Sequence, residues 1–172
     1  ALHARHVVLA TGAHGRGLAR QAGDRVPLDT ERGYHLEWEM EQPRLSRPVC
    51  PTSRGFYLCP MQGRLRVAGT VELGGLTAPP SPHRLKRLEE GAKSIFPNLG
   101  APTRTWMGFR PSLPDHLPML GAAPRHPGLF FAFGHQHLGL TLAGVTARLI
   151  THIMSGRAAD VPLTPFAADR FR

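Results

Sequence analysis

Apolar residues occur along the chain in short segments whose spacing is typical of strands. Residues 6–10 and 129–133 are almost entirely apolar, which is typical of buried strands. In residues 33–40, large apolar residues alternate with His and Glu, so this segment is predicted to be a half-buried strand. A further strand is predicted for residues 103–109. These four segments predict a sheet with at least one buried face.

Two further strands are predicted to form a hairpin. Residues 56–60 and 64–70 have strand-like composition and are separated by only three residues, which include Gly63. The alternation in the second segment places Leu65 and Val67 on one face, opposite the arginines beside them.

Helical spacing appears in two places. A proline-rich segment, 76–82, is followed by a helix predicted for residues 83–96, with one apolar face and one charged face. This helix is expected to lie across a sheet and to end before Pro97. A second helix is predicted for residues 139–154, which are apolar nearly all round, so most of its sides are expected to be buried.

The combination predicts an α+β fold with a mixed, largely antiparallel sheet and packed helices. The chain has 172 residues, of which 41% are hydrophobic and 19% charged, as expected for a globular protein. Its net charge of +9 suggests nucleic acid as a partner, but the arginines are spread singly and have no interleaved aromatic residues. Nucleic-acid binding is therefore not predicted. No apolar run reaches the length of about 18 residues that a membrane-spanning helix needs.

Six segments of the chain have informative sequences, in this order: residues 5–13, 26–35, 56–60, 65–70, 106–121 and 133–144. Together they resemble the FAD-dependent D-amino acid dehydrogenase and glycine oxidase family. The segment 106–121 begins with WMGFRP, and the segment 133–144 reads FGHQHLGLTLAG. The resemblance covers almost the whole chain and implies the C-terminal portion of such a flavoprotein.

The resemblance also implies a division of the chain. Residues 1–24 correspond to the end of the FAD-binding domain, 25–109 to the substrate-binding domain, and 110–172 to the return into the FAD-binding domain. Family members begin with a Gly-x-Gly-x-x-Gly turn that holds the ADP half of FAD. The glycines of residues 12–17 have a different spacing, Gly-x-x-Gly-x-Gly. The chain alone is therefore expected to bind FAD weakly or not at all.

Arg110 and Tyr57 are the predicted substrate-binding residues. The guanidinium group of arginine can bind a carboxylate through two parallel hydrogen bonds. In the family, the arginine at the position of Arg110 holds the substrate carboxylate, and a tyrosine matching Tyr57 lines the substrate pocket. The alternative for Arg110 is a structural role. The alternative for Tyr57 is packing against a side chain on the neighbouring strand.

The predicted cofactor is noncovalently bound FAD. The resemblance assigns its contacts to Thr11, Gly12, Gly134, His135, His137, Gly139, Leu140 and Thr141. Glycines allow the backbone to approach a planar ring, and a helix beginning near Gly139 offers free N–H groups to an anionic ring edge. The covalent branch of the superfamily uses a cysteine in the segment matching residues 108–110, and this chain has none there. His135 and His137 lack a third nearby ligand, so no metal site is predicted.

The resemblance implies that a D-amino acid or related amino or imino acid is oxidised by hydride transfer to flavin. No residue stands out as a dedicated catalytic base. The expected partners are a small amino acid substrate and the missing FAD-binding portion, in the same chain or in another. A cytoplasmic location is expected, while peripheral contact with the inner membrane or a quinone, and self-association, stay open. The alternatives are a non-enzymatic remnant or partner subunit that binds a carboxylate or a protein, and a basic binding module.

Overall fold

A computed structural model describes residues 3–171 and has an α+β architecture. Within these residues the chain forms seven strands and three α-helices: β1 (Val7–Leu9), α1 (Gly15–Gln21), β2 (Asp29–Glu39), β3 (Phe56–Met61), β4 (Arg64–Leu73), α2 (Pro82–Lys93), β5 (Arg104–Ser112), β6 (Met119–Ala122), β7 (Leu129–Phe133) and α3 (Gly139–Met154). Short 3-10 helices span Gly12–His14, Thr164–Phe166 and Ala168–Phe171.

The strands form two sheets. A three-stranded sheet has the order β1-β7-β6, in which β1 pairs parallel to β7 and β6 pairs antiparallel to it. A four-stranded sheet has the order β3-β4-β2-β5, and its β3–β4 pair is the predicted antiparallel hairpin. The predicted fold class, with mixed and antiparallel pairing, is confirmed.

The chain divides into two compact units. The first contains the described residues up to Glu31 together with those from Arg110 onward, and the second is Arg32–Phe109. The assignment of the first unit to the cofactor and of the second to the substrate stays a prediction.

The core of the second unit follows the predicted alternation. On β2, Tyr34, Leu36 and Trp38 are each at most 2% exposed. They cluster with residues of β3, β4 and α2, namely Phe56, Leu58, Leu65, Val67, Leu88 and Ala92. The apolar face of α2 therefore packs on the sheet, as its spacing predicts.

A buried arginine at the start of β2 organises the proline-rich segment, and the sequence pattern did not predict it. Arg32 is 2% exposed, and its guanidinium donates to Glu72 at 2.6 and 3.0 Å. It also donates to the carbonyl oxygens of Ala78 at 2.5 Å and Pro79 at 3.0 Å. The same carboxylate accepts a hydrogen bond from the hydroxyl of Tyr34. Because prolines provide no N–H for a ladder, these side-chain donors fix the segment instead.

The opposite side of β2 carries a second buried charge. Glu37 is 3% exposed, and its carboxylate accepts hydrogen bonds from Arg64 at 2.9 Å and Arg66 at 2.8 Å. Burial alone would raise the pKa of Glu37, but the hydrogen bond from Arg66 and the charges of both arginines outweigh burial and lower that pKa. The face that alternation predicts to be open is therefore partly closed by ion pairs.

The first unit contains two elements that the sequence pattern did not predict. Helix α1 has only seven residues and includes Gly15 and Gly17, which lower helix propensity. A Cβ at Gly15 would lie 3.0 Å from Cδ1 of Phe133, so the glycine lets the helix approach β7 closely. Strand β6 has only four residues, with Gly121 among them, and escapes detection by its shortness.

The predicted burial of α3 on most sides is wrong for the described residues. Leu149 and Ile150 are its buried residues, whereas Leu140 is 93% exposed. The helix packs on β6 and β7 and on Phe166, which covers one of its sides. Its remaining apolar surface faces outward within the described part of the chain.

Two glycines inside helices provide a matched test of the packing. A Cβ at Gly91 in α2 would lie 2.5 Å from Cε1 of Phe56, whereas a Cβ at Gly144 in α3 would meet nothing within 4 Å. We predict that Gly91→Ala lowers the free energy of unfolding by about 1–3 kcal/mol through overpacking. Gly144→Ala should raise it by about 0.5–1 kcal/mol through helix propensity. Urea denaturation measures both, and equal effects would contradict the assigned packing.

The charge on Glu37 predicts a pH-dependent contribution to stability. Because its folded pKa lies below the ordinary value of 4.5, the contribution is present above that value and is lost as the pH falls through the folded pKa. Glu37→Gln should cost about 2 kcal/mol at pH 7, since the arginines are about one-third exposed and partly screened. The deficit should shrink at acid pH.

Glu39→Gln on the same strand is the matched control. The Glu39 side chain is 65% exposed and lies 3.8 Å from Arg104, so its loss should cost less than about 0.5 kcal/mol at any pH. Urea denaturation at several pH values would contradict this account of Glu37 if the deficit of Glu37→Gln were independent of pH.

Candidate functional site

An apolar groove in the first unit lies between β1, the end of β7 and helix α3. Its volume is about 530 Å³. The lining residues are mostly small or apolar: Val8, Ala10, Gly12, Pro111, Ala132, Phe133, His135, Gln136, Gly139, Ala143, Thr146, Ala147 and Ile150. This volume lies within the range of small-molecule binding sites.

The corner between β7 and α3 shapes one end of the groove. Gly134 has φ of 87°, in the left-handed region that favours glycine. A Cβ at this position would also lie 2.7 Å from Cδ1 of Leu113. The chain then enters α3 at Gly139, where the N-cap residue Leu138 makes no side-chain capping hydrogen bond. The helix start thus presents backbone N–H groups and the positive end of the helix dipole.

His135 provides the polar side of the groove wall. Its Nε2 lies 3.0 Å from Oγ1 of Thr146, two turns into α3. Burial lowers the pKa of His135, so the ring is uncharged at neutral pH. The groove therefore offers hydrogen-bonding capacity without a fixed charge at this point.

The groove includes some of the predicted cofactor residues and leaves others outside. Gly12, His135 and Gly139 line it. Gly134 shapes the corner, and Thr11 is exposed beside Gly12. The remaining three, His137, Leu140 and Thr141, are exposed and do not line the groove.

Sequence analysis did not assign most of the α3 side of the groove. Positions 139, 143, 146, 147 and 150 of α3 line it. Their spacing of three or four residues places them on one helix face, and small residues at that spacing are the signal that could have identified the groove.

Arg110 lies at the end of β5, immediately before the groove residue Pro111, and it is half-buried. Two residues further, the hydroxyl of Ser112 donates to Glu31 at 3.0 Å, which fixes the strand end. Arg110 is thus placed beside the groove by chain connectivity and by this hydrogen bond.

Tyr57 belongs to the second unit, where it is 57% exposed on β3. On the β5 strand of that unit, Trp106 is 54% exposed and stacks on His35 with a centroid separation of 4.9 Å. A Cβ at Gly108 would lie 1.9 Å from the Trp106 indole, so the glycine makes room for the ring. The second unit therefore presents two exposed aromatic side chains, of which Trp106 is held by stacking on His35.

Residues 3–171 contain neither a metal-binding cluster nor a membrane-spanning helix. No group of three or more His, Cys, Asp or Glu side chains there is arranged to hold a metal ion. In the same residues, no helix is long and apolar enough to cross a membrane.

Comparison with known proteins identifies the family. A family model described as FAD dependent oxidoreductase matches residues 1–153. The chain is 37% identical to a D-amino-acid oxidase of Bradyrhizobium diazoefficiens, with 95% of this chain and 40% of that protein covered. It is 30% identical to a glycine oxidase of Pseudomonas putida, with 98% of this chain and 46% of that protein covered.

A solved structure shows the same fold. The crystal structure of glycine oxidase from Geobacillus kaustophilus superimposes with a TM-score of 0.87 at 27% identity, covering 98% of this chain and 46% of that one. The chain thus spans less than half the length of these relatives. Because the family model matches most of this chain, the chain belongs to the DAO family of FAD-dependent oxidoreductases.

Proposed function

We propose that the chain forms the substrate-orienting part and one wall of the flavin site in an FAD-dependent oxidoreductase that oxidises a D-amino acid or glycine. The observation that carries the proposal is the groove in the first unit, which adjoins Arg110 through Pro111. Family membership supports FAD as the cofactor.

The groove residues fit a planar ring. On the α3 side, the groove is lined by the small residues Gly139, Ala143 and Ala147, which leave room for a ring. Gly12 leaves room in the same way on the β1 side. The uncapped start of α3 offers donors to an electron-rich ring edge, and it favours an anionic form electrostatically. We assign the ring contacts to Gly12, His135 and Gly139, with backbone contacts from residues 140 and 141.

The bound flavin supplies the acceptor for a hydride from the substrate's α-carbon. Arg110 binds the substrate carboxylate through its planar guanidinium group, which fixes the orientation of the α-carbon as well as the affinity. His135 is uncharged because burial lowers its pKa, so it provides a hydrogen bond without competing for the carboxylate. We keep Tyr57 as the second proposed substrate-binding residue.

The exposed apolar side of α3 supports a role for further protein. Leu140 is 93% exposed and Val145 is 38% exposed, which is unfavourable for apolar side chains in water. We propose that the dinucleotide-binding portion of the flavoprotein covers this side of α3 and completes the site. That portion would supply the contacts of the ADP half of FAD.

Substitution of Arg110 tests the proposal in the flavin-loaded protein. Arg110→Lys keeps a positive charge but lacks the planar fork, so kcat/KM for the amino acid should fall about ten- to a hundredfold. Arg110→Ala should cause a larger loss. Amino acid amides, which have no carboxylate, should be affected little by either change. Steady-state kinetics with matched acid and amide pairs measures these effects.

Arg104→Ala is the control on the same strand. The Arg104 side chain is 59% exposed and makes a distant ion pair, so kcat/KM should change less than about twofold. If Arg110→Ala retained FAD and the full kcat/KM for the acid, Arg110 would be structural. If the unsubstituted chain bound no FAD even together with the dinucleotide-binding portion proposed above, a non-enzymatic carboxylate-binding role would be favoured.

A further inference from the structure

Two non-glycine residues in the first unit have left-handed backbone conformations and contact each other. His116 has φ of 61° and Gln136 has φ of 52°. The side-chain amide of Gln136 is hydrogen-bonded to Nδ1 of His116. Backbone conformations of this kind are uncommon outside glycine and persist where the surroundings fix them, often at functional sites.

Gln136 connects this pair to the end of the strand that carries Arg110. Its backbone N–H donates to the carbonyl oxygen of Pro111 at 2.9 Å, and Pro111 follows Arg110 directly. Gln136 thus contacts the end of β5, next to the arginine that is predicted to bind the substrate carboxylate. It also lines the groove that is predicted to hold the flavin ring.

The turn that holds His116 is fixed from its other side. The carboxylate of Asp115 accepts a hydrogen bond from the backbone N–H of Leu117 at 3.1 Å, and His116 donates its own backbone N–H to Leu113 at 2.9 Å. Through the first of these hydrogen bonds, Asp115 shapes the turn.

Arg170, near the end of the described chain, locks the turn. Its Nε and Nη2 donate to the two oxygens of Asp115 at 2.7 and 3.2 Å, and this hydrogen bonding lowers the pKa of Asp115. Nη2 also donates to Leu117, and Nη1 donates to Phe166 and Ala167, at 2.9 to 3.0 Å. The Arg170 side chain is 12% exposed.

We propose that Gln136, His116 and Arg170 are positioning residues that hold the end of β5, and with it Arg110, in register with the flavin groove. The chain of contacts runs from Arg170 through Asp115 and His116 to Gln136 and the Pro111 carbonyl. The function of this chain rests on the proposed amino acid oxidation, while its geometry does not. Asp115 and His116 are adjacent in the sequence, and the other links are directional hydrogen bonds. Removal of one member should therefore loosen the members beyond it.

Glycine substitutions test the central pair without creating backbone strain. Gln136→Gly and His116→Gly keep access to the left-handed region but remove the side-chain contact. Each should raise KM for the amino acid about five- to twentyfold, with kcat changed less, because Arg110 binds the carboxylate less well. The double variant should lose little more than either single variant, since both remove the same hydrogen bond.

Arg170→Lys and Arg170→Gln test the outer end of the chain. Lysine keeps the charge beside Asp115 but cannot reach all four partners, so Arg170→Lys should fall between the unsubstituted protein and Arg170→Gln in KM. His126→Gly is the control, because His126 is exposed in a turn of the same unit and its Nδ1 lies 3.2 Å from the adjacent Pro127 carbonyl oxygen. It should leave KM unchanged.

Two readouts separate this proposal from the proposed function. The first is the affinity of benzoate, measured by perturbation of the flavin spectrum, which should weaken in step with KM. The second is hydrogen exchange at the Gln136 amide, which should accelerate in His116→Gly. Unchanged exchange together with unchanged benzoate affinity would overturn the positioning role. The third outcome is accelerated exchange at the Gln136 amide in His116→Gly, combined with a bound flavin that no amino acid reduces. It would support the contact chain and reject the proposed function.

Discussion

The close approach of the β7–α3 corner to the Leu113 side chain is the constraint on which the groove depends. Gly134 combines a left-handed backbone with a position where a Cβ would lie 2.7 Å from Cδ1 of Leu113. Any larger residue would push the corner away from the turn that follows β5. The corner sets where α3 begins, and α3 supplies one whole side of the groove. The location of His135 and Gln136 on the groove wall follows from the same backbone path.

The two units use different physical means to fix their polar groups. In the second unit, a buried charged side chain is paired with opposite charge, as in Arg32 with Glu72 and Glu37 with Arg64 and Arg66. Burying such charges is costly unless they are paired and hydrogen-bonded, so each arrangement fixes its neighbours strictly. In the first unit, the groove wall carries neutral groups, and the ion pair of Arg170 and Asp115 lies in the turn after β5. Because the wall is neutral, the electrostatic potential in the groove is set mainly by the start of α3 and by Arg110.

Periodic elements could be predicted from the sequence, whereas elements set by tertiary contact could not. The β3–β4 hairpin and the apolar face of α2 follow from alternation and helical spacing alone. The helix α1 was missed because its Gly15 serves contact with Phe133, which no local pattern reveals. The burial of α3 was overestimated because apolar composition indicates that a surface is to be covered, but not which part of the protein covers it.

The site shows the same division between motif and contact. Gly12, His135 and Gly139 could be proposed from the resemblance and lie on the groove, whereas Thr146 and Gln136 are placed there by the fold. Their roles depend on a hydrogen bond to His135 and on the Pro111 carbonyl, and such partners are distant in sequence. Left-handed residues other than glycine leave no signal in composition or periodicity.

A crystal structure of the FAD-loaded protein with a bound, unreactive carboxylate would test the account most directly. The account predicts that the isoalloxazine ring occupies the groove, with one edge within hydrogen-bonding distance of the first backbone N–H groups of α3. It also predicts that the carboxylate forms two hydrogen bonds with Arg110. A ring bound outside the groove, or a carboxylate held by a different residue, would contradict it.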